Sequence, residues 1–222
     1  MNTPLPPILL GLLLAIAAAP VRAESAAPSV SENVQRMARR VVDSHDNAGL
    51  PFLFVDKVNA RVFAFDATGQ LRAEAPALLG MARGDRLLAP NDMAVDAIPP
   101  EEQITPAGRY ISRLALDSHG KELLVIDYEA SISLHPVVTN KPEERRLERL
   151  KSATVSDNRI SHGCINVPPE FYSNYVSTAF ARTKGVVYIL PETKPASELF
   201  GARLAGGSAP ASATASGAKS AK

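Results

Sequence analysis

The sequence predicts a mainly β fold, a β-sandwich or a partly open barrel with a few short helices. Short runs rich in aromatic and β-branched residues recur between Phe52 and Leu190, and turn residues such as Gly, Pro, Asn and Asp separate them. Short strands at such spacing are typical of antiparallel sandwiches and barrels. Helical periodicity of apolar residues is confined to the segments 31–44, 141–151 and 169–183.

Residues 1–23 are predicted to be a secretory signal peptide that is not part of the fold. Residues 8–19 form an apolar run, and Val21 and Ala23 place small residues at positions −3 and −1 of a cleavage site before Glu24. The run is shorter than the roughly 20 apolar residues of a transmembrane helix, so an uncleaved membrane anchor is the less favoured alternative. We therefore expect a protein of the periplasm or cell envelope, without a stable membrane span once the signal is cleaved.

The charge balance argues against nucleic acid as a partner. The chain contains 24 Lys and Arg against 23 Asp and Glu, and loss of residues 1–23, which include Arg22, leaves a net charge near zero. Phosphate binding requires a basic surplus. The single cysteine, Cys164, excludes an internal disulfide framework. In an exported domain this thiol is therefore either buried and inert or kept for reaction.

Residues 24–50 are predicted to be a linker followed by one helix. The stretch 29–32, Ser-Val-Ser-Glu, fits a capping box, and Val34, Met37 and Val41 recur at helical spacing. The helix is expected over about Ser31–Ser44, and the turn residues Asn and Gly at 47 and 49 end it.

Residues 51–192 are predicted to form one domain that carries the sheet. Residues 81–102 contain several Gly and Pro breakers and are expected to be a loop, whereas 141–151 and 169–183 are expected to be helices. Residues 193–222 are predicted to be a disordered low-complexity tail, because small residues and Pro dominate from Gly201 onward. The expected strands are 52–55, 61–65, 71–79, 110–116, 122–128, 130–138 and 186–190.

The stretch that can carry covalent chemistry surrounds the single cysteine, in the hexapeptide Ser161-His162-Gly163-Cys164-Ile165-Asn166. Free cysteines are among the most buried residues, so an inert core thiol is the alternative interpretation. Gly163 has no Cβ, however, and keeps the backbone beside the sulfur open to a ligand. Together with the export signal, this feature favours a reactive Cys164.

His135 is the residue best placed to activate that thiol. Residues 131–138 alternate as a strand, with His135 on the face that it shares with Ser131 and Ser133. A structural histidine at a strand end is the alternative. In cysteine enzymes the base and the nucleophile are neighbours in space and not in sequence, so the downstream His-Gly-Cys favours the catalytic interpretation.

The hexapeptide, preceded by a histidine on a strand, resembles the signature of the L,D-transpeptidase (YkuD-like) catalytic domain. The turn Thr105-Pro106-Ala107-Gly108 is similar to the Thr-Pro-x-Gly turn of that family, and 186–190 is similar to its closing strand. The resemblance covers roughly Phe52–Pro191. It implies an exported, mainly β enzyme that acts on the stem peptides of bacterial peptidoglycan.

The resemblance also implies roles for particular residues. Cys164 is the expected nucleophile and His135 the proton donor and acceptor, with the Pro136 carbonyl orienting the imidazole. The backbone N–H groups of His162, Gly163 and Cys164 are the candidates for an oxyanion hole. No cofactor and no metal are expected. The residues expected to bind substrate or to brace the loop are Ser161 and Asn166, and those expected as walls of the cleft are Arg109 and Tyr110.

The expected thioester at Cys164 can pass to an amine or to water. An amine of a second stem peptide, of an outer-membrane lipoprotein or of a D-amino acid gives transpeptidation, and water gives an L,D-carboxypeptidase. Two alternatives belong to other classes. One is a non-catalytic cell-wall-binding module, and the other is a metal site of His135, His162 and Cys164, for which the sequence offers no obvious fourth ligand.

The sequence departs from the family pattern at two places. The 24 residues 137–160 separate the histidine dipeptide from the Ser-His-Gly-Cys motif, a longer gap than is usual, and the charged run Lys141–Lys151 accounts for the excess. We expect this run to be a solvated amphipathic helix, with a lid over the cleft as the alternative. The second departure is Pro136, where Gly or Ser is common; proline lacks the N–H but keeps the carbonyl.

Overall fold

A computed structural model of the chain describes residues 30–87 and 97–205. The predicted signal peptide, the start of the predicted linker, residues 88–96 of the predicted loop and residues 206–222 of the predicted tail lie outside the described residues. Within the two described ranges, no helix is both long enough and apolar enough to cross a lipid bilayer.

One large mixed sheet organises the described residues, and most of the helices around it are short, so the prediction of a mainly β fold with a few short helices is confirmed. The ten strands of the described ranges are β1 (Phe52–Asp56), β2 (Arg61–Phe65), β3 (Leu71–Pro76), β4 (Leu79–Gly80), β5 (Gly108–Leu116), β6 (Glu122–Asp127), β7 (Ile132–Pro136), β8 (Arg159–Ser161), β9 (Ile165–Val167) and β10 (Gly185–Ile189).

Eight of these strands form one mixed sheet in the order β3-β2-β1-β10-β5-β6-β7-β9, and β4 pairs with β8 in a second sheet. The pairs β1–β10 and β7–β9 are parallel, and the other neighbours in the large sheet are antiparallel. Leu78, just after β3, exchanges two backbone hydrogen bonds with Asn166 of β9, at 2.8 and 2.9 Å. This bridge brings the two edges of the large sheet together, so the sheet is nearly closed.

The central strand β1 is buried on both faces. Leu53 and Val55 belong to one apolar cluster, which also contains Val176 of the helical segment 169–180. Phe52 and Phe54 point to the other face, because successive side chains of a strand alternate, and they join a second cluster. Helix α1 (Val30–Asp43) closes this second cluster with Val34, Ala38 and Val41, which recur at helical spacing.

The remaining helices are short and pack against the nearly closed sheet, which we call the barrel. A 3₁₀ turn (Pro142–Glu144) precedes α2 (Arg146–Lys151), which lies inside the predicted insertion 137–160. The segment 169–180 consists of α3 (Pro169–Phe171), a π-helical stretch (Tyr172–Ser177) and α4 (Thr178–Phe180). Leu150 of α2 is buried, and the helix is thereby attached to the domain.

Several sequence boundaries differ from those of the structure. The predicted strand 71–79 is divided into β3 and β4, because its Pro76 ends the ladder. The prediction of a disordered tail from residue 193 does not hold for its first part: α5 (Ala196–Ala205) is helical on both sides of a kink at Gly201, and the Phe200 ring lies 6.1 Å from that of Tyr188. The Phe200 ring thus packs against the second cluster, although the composition of the tail predicted disorder.

A buried ionic cluster, formed by Lys57, Asp85, Arg159 and Glu192, ties four distant segments together. The Lys57 ammonium is fully buried, lies 2.9 Å from Asp85 Oδ1 and donates to the Thr105 carbonyl at 2.9 Å. Arg159 of β8 pairs with Glu192 at 2.6 Å. This cluster connects the turn after β1 to the segment that precedes β5 and to β8, which leads into the hexapeptide.

Candidate active site

Cys164 lies in the short loop between β8 and β9, beside strand β7. The parallel register of β7 and β9 aligns Leu134 with Ile165 and His135 with Asn166. This register brings the half-buried Cys164 against the polar face of β7, where Sγ lies 3.5 Å from Ser133 Oγ and 3.5 Å from the Ser131 carbonyl oxygen. The cysteine and the strand-borne histidine, 29 residues apart in the chain, are thus neighbours across one strand pair.

The His135 ring is held by the main chain of the next residue. Nδ1 lies 2.8 Å from the Pro136 carbonyl oxygen. A carbonyl can only accept, so this contact requires a proton on Nδ1 and leaves Nε2 as the nitrogen that can exchange a proton. The structure therefore places Pro136 where the resemblance implied an orienting carbonyl.

The thiol and the imidazole shift each other's pKa in opposite directions. Burial raises the pKa of the Cys164 thiol, but its interactions with His135 and Ser133 outweigh burial, and the net pKa is lower than usual. Burial lowers the pKa of His135, but Cys164 and the Pro136 carbonyl outweigh it, and the net pKa is raised. Both directions favour a thiolate beside an imidazolium, the form in which cysteine is a nucleophile.

The loop around Cys164 is braced by hydroxyl groups. Ser161 Oγ donates to the Cys164 carbonyl at 2.6 Å and accepts the Gly163 N–H at 3.1 Å. Thr105 Oγ1 donates to the Gly163 carbonyl at 2.8 Å and accepts the Gly80 N–H. The Gly163 N–H donates to Ser161 in this structure and so helps to shape the loop, while a part for it in the oxyanion hole stays a prediction.

The structure corrects the predicted substrate contacts of Ser161 and Asn166. Both residues are buried, with exposed fractions of 3% and 0%, so neither side chain is open to a ligand. Asn166 Nδ2 points to the Cys164 carbonyl at 3.4 Å, and its Oδ1 accepts from Arg146 at 2.9 Å. Both side chains brace the loop, which was the other role considered for them. The His162 side chain, in contrast, is half-buried and has no hydrogen-bond partner among the described residues.

The structure does not bring Arg109 and Tyr110 into the site. The Arg109 guanidinium binds Asp46 at 2.7 Å and lies over the Tyr188 ring, beside the second apolar cluster. Tyr110 packs against the first cluster, and burial, with the charge of Asp127, raises its pKa to about 12. Neither residue lines the groove beside His135, so their assignment as cleft walls is wrong.

An open groove with a volume of about 840 Å³ begins at His135. Ser133, Pro136 and residues 137–140 line one side, and the hairpin between β5 and β6 lines the other. That hairpin contributes the charged side chains of Asp117, Lys121 and Glu122. The groove can accommodate an extended chain with both acidic and basic groups, and it opens directly onto the proton-exchanging histidine.

Three residues of the site were missed from the sequence. The contact of Ser133 with the thiol could have been inferred, because Ser133 shares the strand face of His135. The contact of Thr105 with the Cys164 loop could have been sought in the Thr-Pro-Ala-Gly turn. Arg146 had no such signal, since it is one of several cations in the charged run. In the described part of the chain, no group of three His, Cys, Asp or Glu residues is arranged to hold a metal ion.

Comparisons with known proteins return solved L,D-transpeptidases. No protein-family model and no curated protein matches the chain. A mutant of the L,D-transpeptidase from Enterococcus faecium is similar over 63% of this chain and 49% of that one, with 15% identity and a TM-score of 0.35.

Two further structures cover the same 63% of this chain and 58% of their own. The L,D-transpeptidase from Mycobacterium smegmatis has 12% identity and a TM-score of 0.37, and an LD transpeptidase in complex with imipenem has 13% and 0.35. The chain thus spans between about half and three fifths of the solved chains that it matches.

Proposed function

We propose that the protein is an exported cysteine acyltransferase that works as an L,D-transpeptidase on peptidoglycan stem peptides. The observation that carries the proposal is the pairing of the single thiol with an imidazole whose Nδ1 is held at 2.8 Å by the Pro136 carbonyl. The resemblance of the hexapeptide to the L,D-transpeptidase signature supports the substrate class.

The first half of the reaction forms a thioester. The Cys164 thiolate attacks the carbonyl carbon of an L,D peptide bond, and the carbonyl oxygen becomes a tetrahedral oxyanion. The C–N bond then breaks as the His135 imidazolium gives its Nε2 proton to the leaving amine, so that a D-amino acid departs. The acyl group remains on sulfur, and His135 is left neutral.

The second half transfers the acyl group. An acceptor amine attacks the thioester carbonyl, and neutral His135 accepts the proton that the amine loses. The C–S bond breaks, a new amide forms, and the thiolate–imidazolium pair is restored. Water in place of the amine yields a carboxylic acid, which is the carboxypeptidase outcome.

The oxyanion requires N–H donors from the loop. Ser161 takes up the Gly163 N–H, so the proposed donors are the backbone N–H groups of His162 and Cys164. Loss of one such donor costs about 3–4 kcal/mol of transition-state stabilisation in other enzymes. The bonds from Ser161 and Thr105 shape the loop that carries these donors and therefore contribute to the rate indirectly.

Charge on the groove supports a stem peptide as the substrate. Stem peptides carry free carboxylates and amines, and the hairpin beside His135 contributes two carboxylates and one ammonium, from Asp117, Glu122 and Lys121. Opposite charges across a binding surface set the register and orientation of a ligand. A second stem peptide, a D-amino acid or an outer-membrane lipoprotein is the proposed acceptor, in the periplasm or cell envelope.

Intact-mass spectrometry tests the proposal. The wild-type protein is incubated with a carbapenem and, separately, with a purified stem tetrapeptide, with Cys164→Ala as the control. We expect a covalent adduct on the wild type only, and release of the terminal D-amino acid from the tetrapeptide. A folded wild-type protein that forms no adduct and turns over no stem peptide, or a Cys164→Ala variant that keeps full function as a wall-binding module, would overturn the proposal.

A further inference from the structure

Among the described contacts of the charged run Lys141–Lys151, Arg146 is the cation whose side chain reaches the strand that follows Cys164. Within the described contacts, Arg145 pairs with Glu148 and Lys141 with Glu144 on the surface of the segment. Arg149 donates to the Glu144 and Asp157 carbonyls of the segment itself. Arg146 instead donates from Nη1 to Asn166 Oδ1 at 2.9 Å, on strand β9.

The contact with Asn166 determines how that side chain is oriented. Asn166 is completely buried, and an amide group has one end that only accepts and one that only donates. Because Arg146 can only donate, it holds Oδ1 on its own side and turns Nδ2 towards the Cys164 carbonyl, 3.4 Å away. The carbonyl of the nucleophile's own residue is thus held by Asn166 and by Ser161 Oγ at 2.6 Å.

Arg146 also stands close to His135. The register pairs His135 with Asn166, and the charge of Arg146 lowers the pKa of His135 against the opposite effect of Cys164. The other charged groups around the imidazole are Glu144, which binds Arg146 Nε, and the groove residues Asp117, Lys121 and Glu122. Glu144 therefore offsets part of the positive charge that Arg146 presents.

We infer that Arg146 is a positioning residue of the site: it fixes the Cys164 loop through Asn166, and it sets the charge beside His135. Helix α2 then remains the solvated amphipathic helix that the sequence predicts, with Leu150 buried and its charged side chains exposed or half-buried, and it contributes Arg146 to the active site. An imidazolium next to a cation gives up its proton more readily, which suits transfer to a leaving amine. The inference rests on the proposed function, because it assigns Arg146 a part in the same reaction.

Three variants and one control separate the two effects of Arg146. Arg146→Met removes charge and hydrogen bonds, whereas Arg146→Lys keeps the charge and loses the planar fork that serves Glu144 and Asn166 together. Glu144→Gln leaves Arg146 in place and removes the opposing charge. Arg145→Met is the matched control, because Arg145 is adjacent and exposed and, among the described residues, its ion pair is with Glu148.

Two measurements are made on each protein: the pH dependence of Cys164 alkylation by iodoacetamide, and the kinetics of acylation by a carbapenem. For Arg146→Met we expect the upper inflection of the alkylation profile, which reports His135, to move up by about half a pH unit or more. Glu144→Gln should move it down. Acylation by Arg146→Met should slow about tenfold at saturating carbapenem with little change in half-saturation, since a displaced nucleophile lowers the rate of the chemical step.

Arg146→Lys should keep the inflection near that of the wild type and still acylate slowly. Alkylation needs no substrate, so it reports the state of the thiol and the imidazole even if neither a carbapenem nor a stem peptide acylates the wild-type protein. A wild type that is not acylated would reject the proposed function and leave the inference about Arg146 to be tested by alkylation. An unshifted inflection in both Arg146→Met and Glu144→Gln overturns the inference. So does, where the wild type is acylated, an acylation rate in Arg146→Met equal to that of Arg145→Met.

Discussion

At the scale of single residues, the proposed chemistry depends on two side chains and one carbonyl. The Pro136 carbonyl holds Nδ1 of His135, which leaves Nε2 for Cys164. Proline lacks a backbone N–H, but the contact with His135 involves only its carbonyl, so Pro136 retains the interaction. The thiol in turn lies against Ser133 and the Ser131 carbonyl, so its position is defined from the strand as well as from the histidine.

The lowered pKa of Cys164 gives the first prediction. We expect the lower inflection of iodoacetamide alkylation to fall below 9.0, the ordinary pKa of cysteine, because the imidazolium stabilises the thiolate. His135→Gln removes that charge and should raise the inflection. A smaller fraction of the thiol is then ionised at neutral pH, so alkylation of the variant at pH 7 should be slower than that of the wild type.

The comparison that can contradict this pairing uses the other histidine of the motif. The His162 side chain adjoins Cys164 in sequence but has no hydrogen-bond partner among the described residues. A larger rise of the inflection in His162→Gln than in His135→Gln would show that the wrong imidazole has been paired with the thiol.

The backbone of Gly163 gives the second prediction. Its φ of 135° is unfavourable for a side chain, and a Cβ there would lie 2.8 Å from the Ile104 carbonyl oxygen. Gly163→Ala must therefore move the loop, and with it Cys164 and its N–H. We expect acylation to slow about 100-fold, since a displacement of about 1 Å has that effect elsewhere.

Gly49→Ala is the matched control for that variant. Gly49, at the exit of α1, also has a positive φ, 70°, but nothing lies within 4 Å of the position of its Cβ. We expect it to lose some stability through backbone strain while it acylates at the wild-type rate. Equal acylation by the two variants, measured on folded samples, would contradict the role assigned to the close approach at Gly163.

At the scale of elements, the site is assembled from strands whose neighbours are distant in sequence. β7 carries His135, β9 follows Cys164, and the turn before β5 supplies Thr105, which lies 58 residues from the Gly163 that it contacts. Helix α2 adds Arg146 from the insertion. The start of β5, in contrast, faces away from the groove, and Arg109 there joins the exit of α1 at Asp46.

The position of Arg109 gives the third prediction. Arg109→Met should lower the free energy of unfolding by about 0.2–1 kcal/mol, because its ion pair with Asp46 is about one third exposed and therefore screened. The rate of carbapenem acylation should stay that of the wild type. Urea unfolding followed by circular dichroism measures the free energy of unfolding, and intact-mass kinetics measure the rate of acylation. A loss of acylation without a loss of stability would show that Arg109 is a wall of the cleft after all.

At the scale of the whole molecule, one buried ionic cluster holds together the segments that end at the site. Lys57 donates to the Thr105 carbonyl, and Thr105 donates from its hydroxyl to the Gly163 carbonyl. The loop of the nucleophile is thus two hydrogen-bonded steps from the centre of the cluster. Asp85 in turn accepts from the backbone N–H groups of Glu192 and Thr193, which anchors the chain after β10.

The cluster gives the fourth prediction. Lys57→Met should destabilise the protein by about 3–5 kcal/mol, because it leaves the Asp85 carboxylate buried without its ammonium partner. Lys57→Met combined with Asp85→Asn should recover part of this loss, since no uncompensated charge remains. Urea unfolding at neutral pH compares the two variants, and equal stabilities would contradict the pairing.

Asp85 should also make stability depend on pH. Burial raises the pKa of this carboxyl, but its bonds from Thr193, Lys57 and the backbone outweigh burial, and its folded pKa is well below the ordinary 3.8. The unfolded state binds the proton first, so the stabilisation is complete above that value and declines as the pH falls below it. In the unfolding experiment, Asp85→Asn should flatten this acid limb.

Much of the fold could be predicted from the sequence because its signals are local. The aromatic and β-branched runs Phe52–Val55 and Arg61–Phe65 and the turn residues at 117–120 are such signals, and strands and a hairpin are found there. The α1 helix, expected over about Ser31–Ser44, runs from Val30 to Asp43. The helical tail was missed, because the contact of Phe200 with Tyr188 is not visible in composition.

The sequence alone determined which atoms can react: one thiol in the chain, one histidine on a strand face with two serines, and a carbonyl supplied by Pro136. Only the tertiary structure decided which groups position them: Arg146 acts through Asn166, and Thr105 acts through Gly163. It also showed that Arg109, expected beside the cleft, contacts Asp46 instead. The physical reason is that periodicity and motifs encode the backbone and the faces of individual elements. Hydrogen bonds between elements depend on strand register and on how the sheet closes, and these arise only when the whole chain packs.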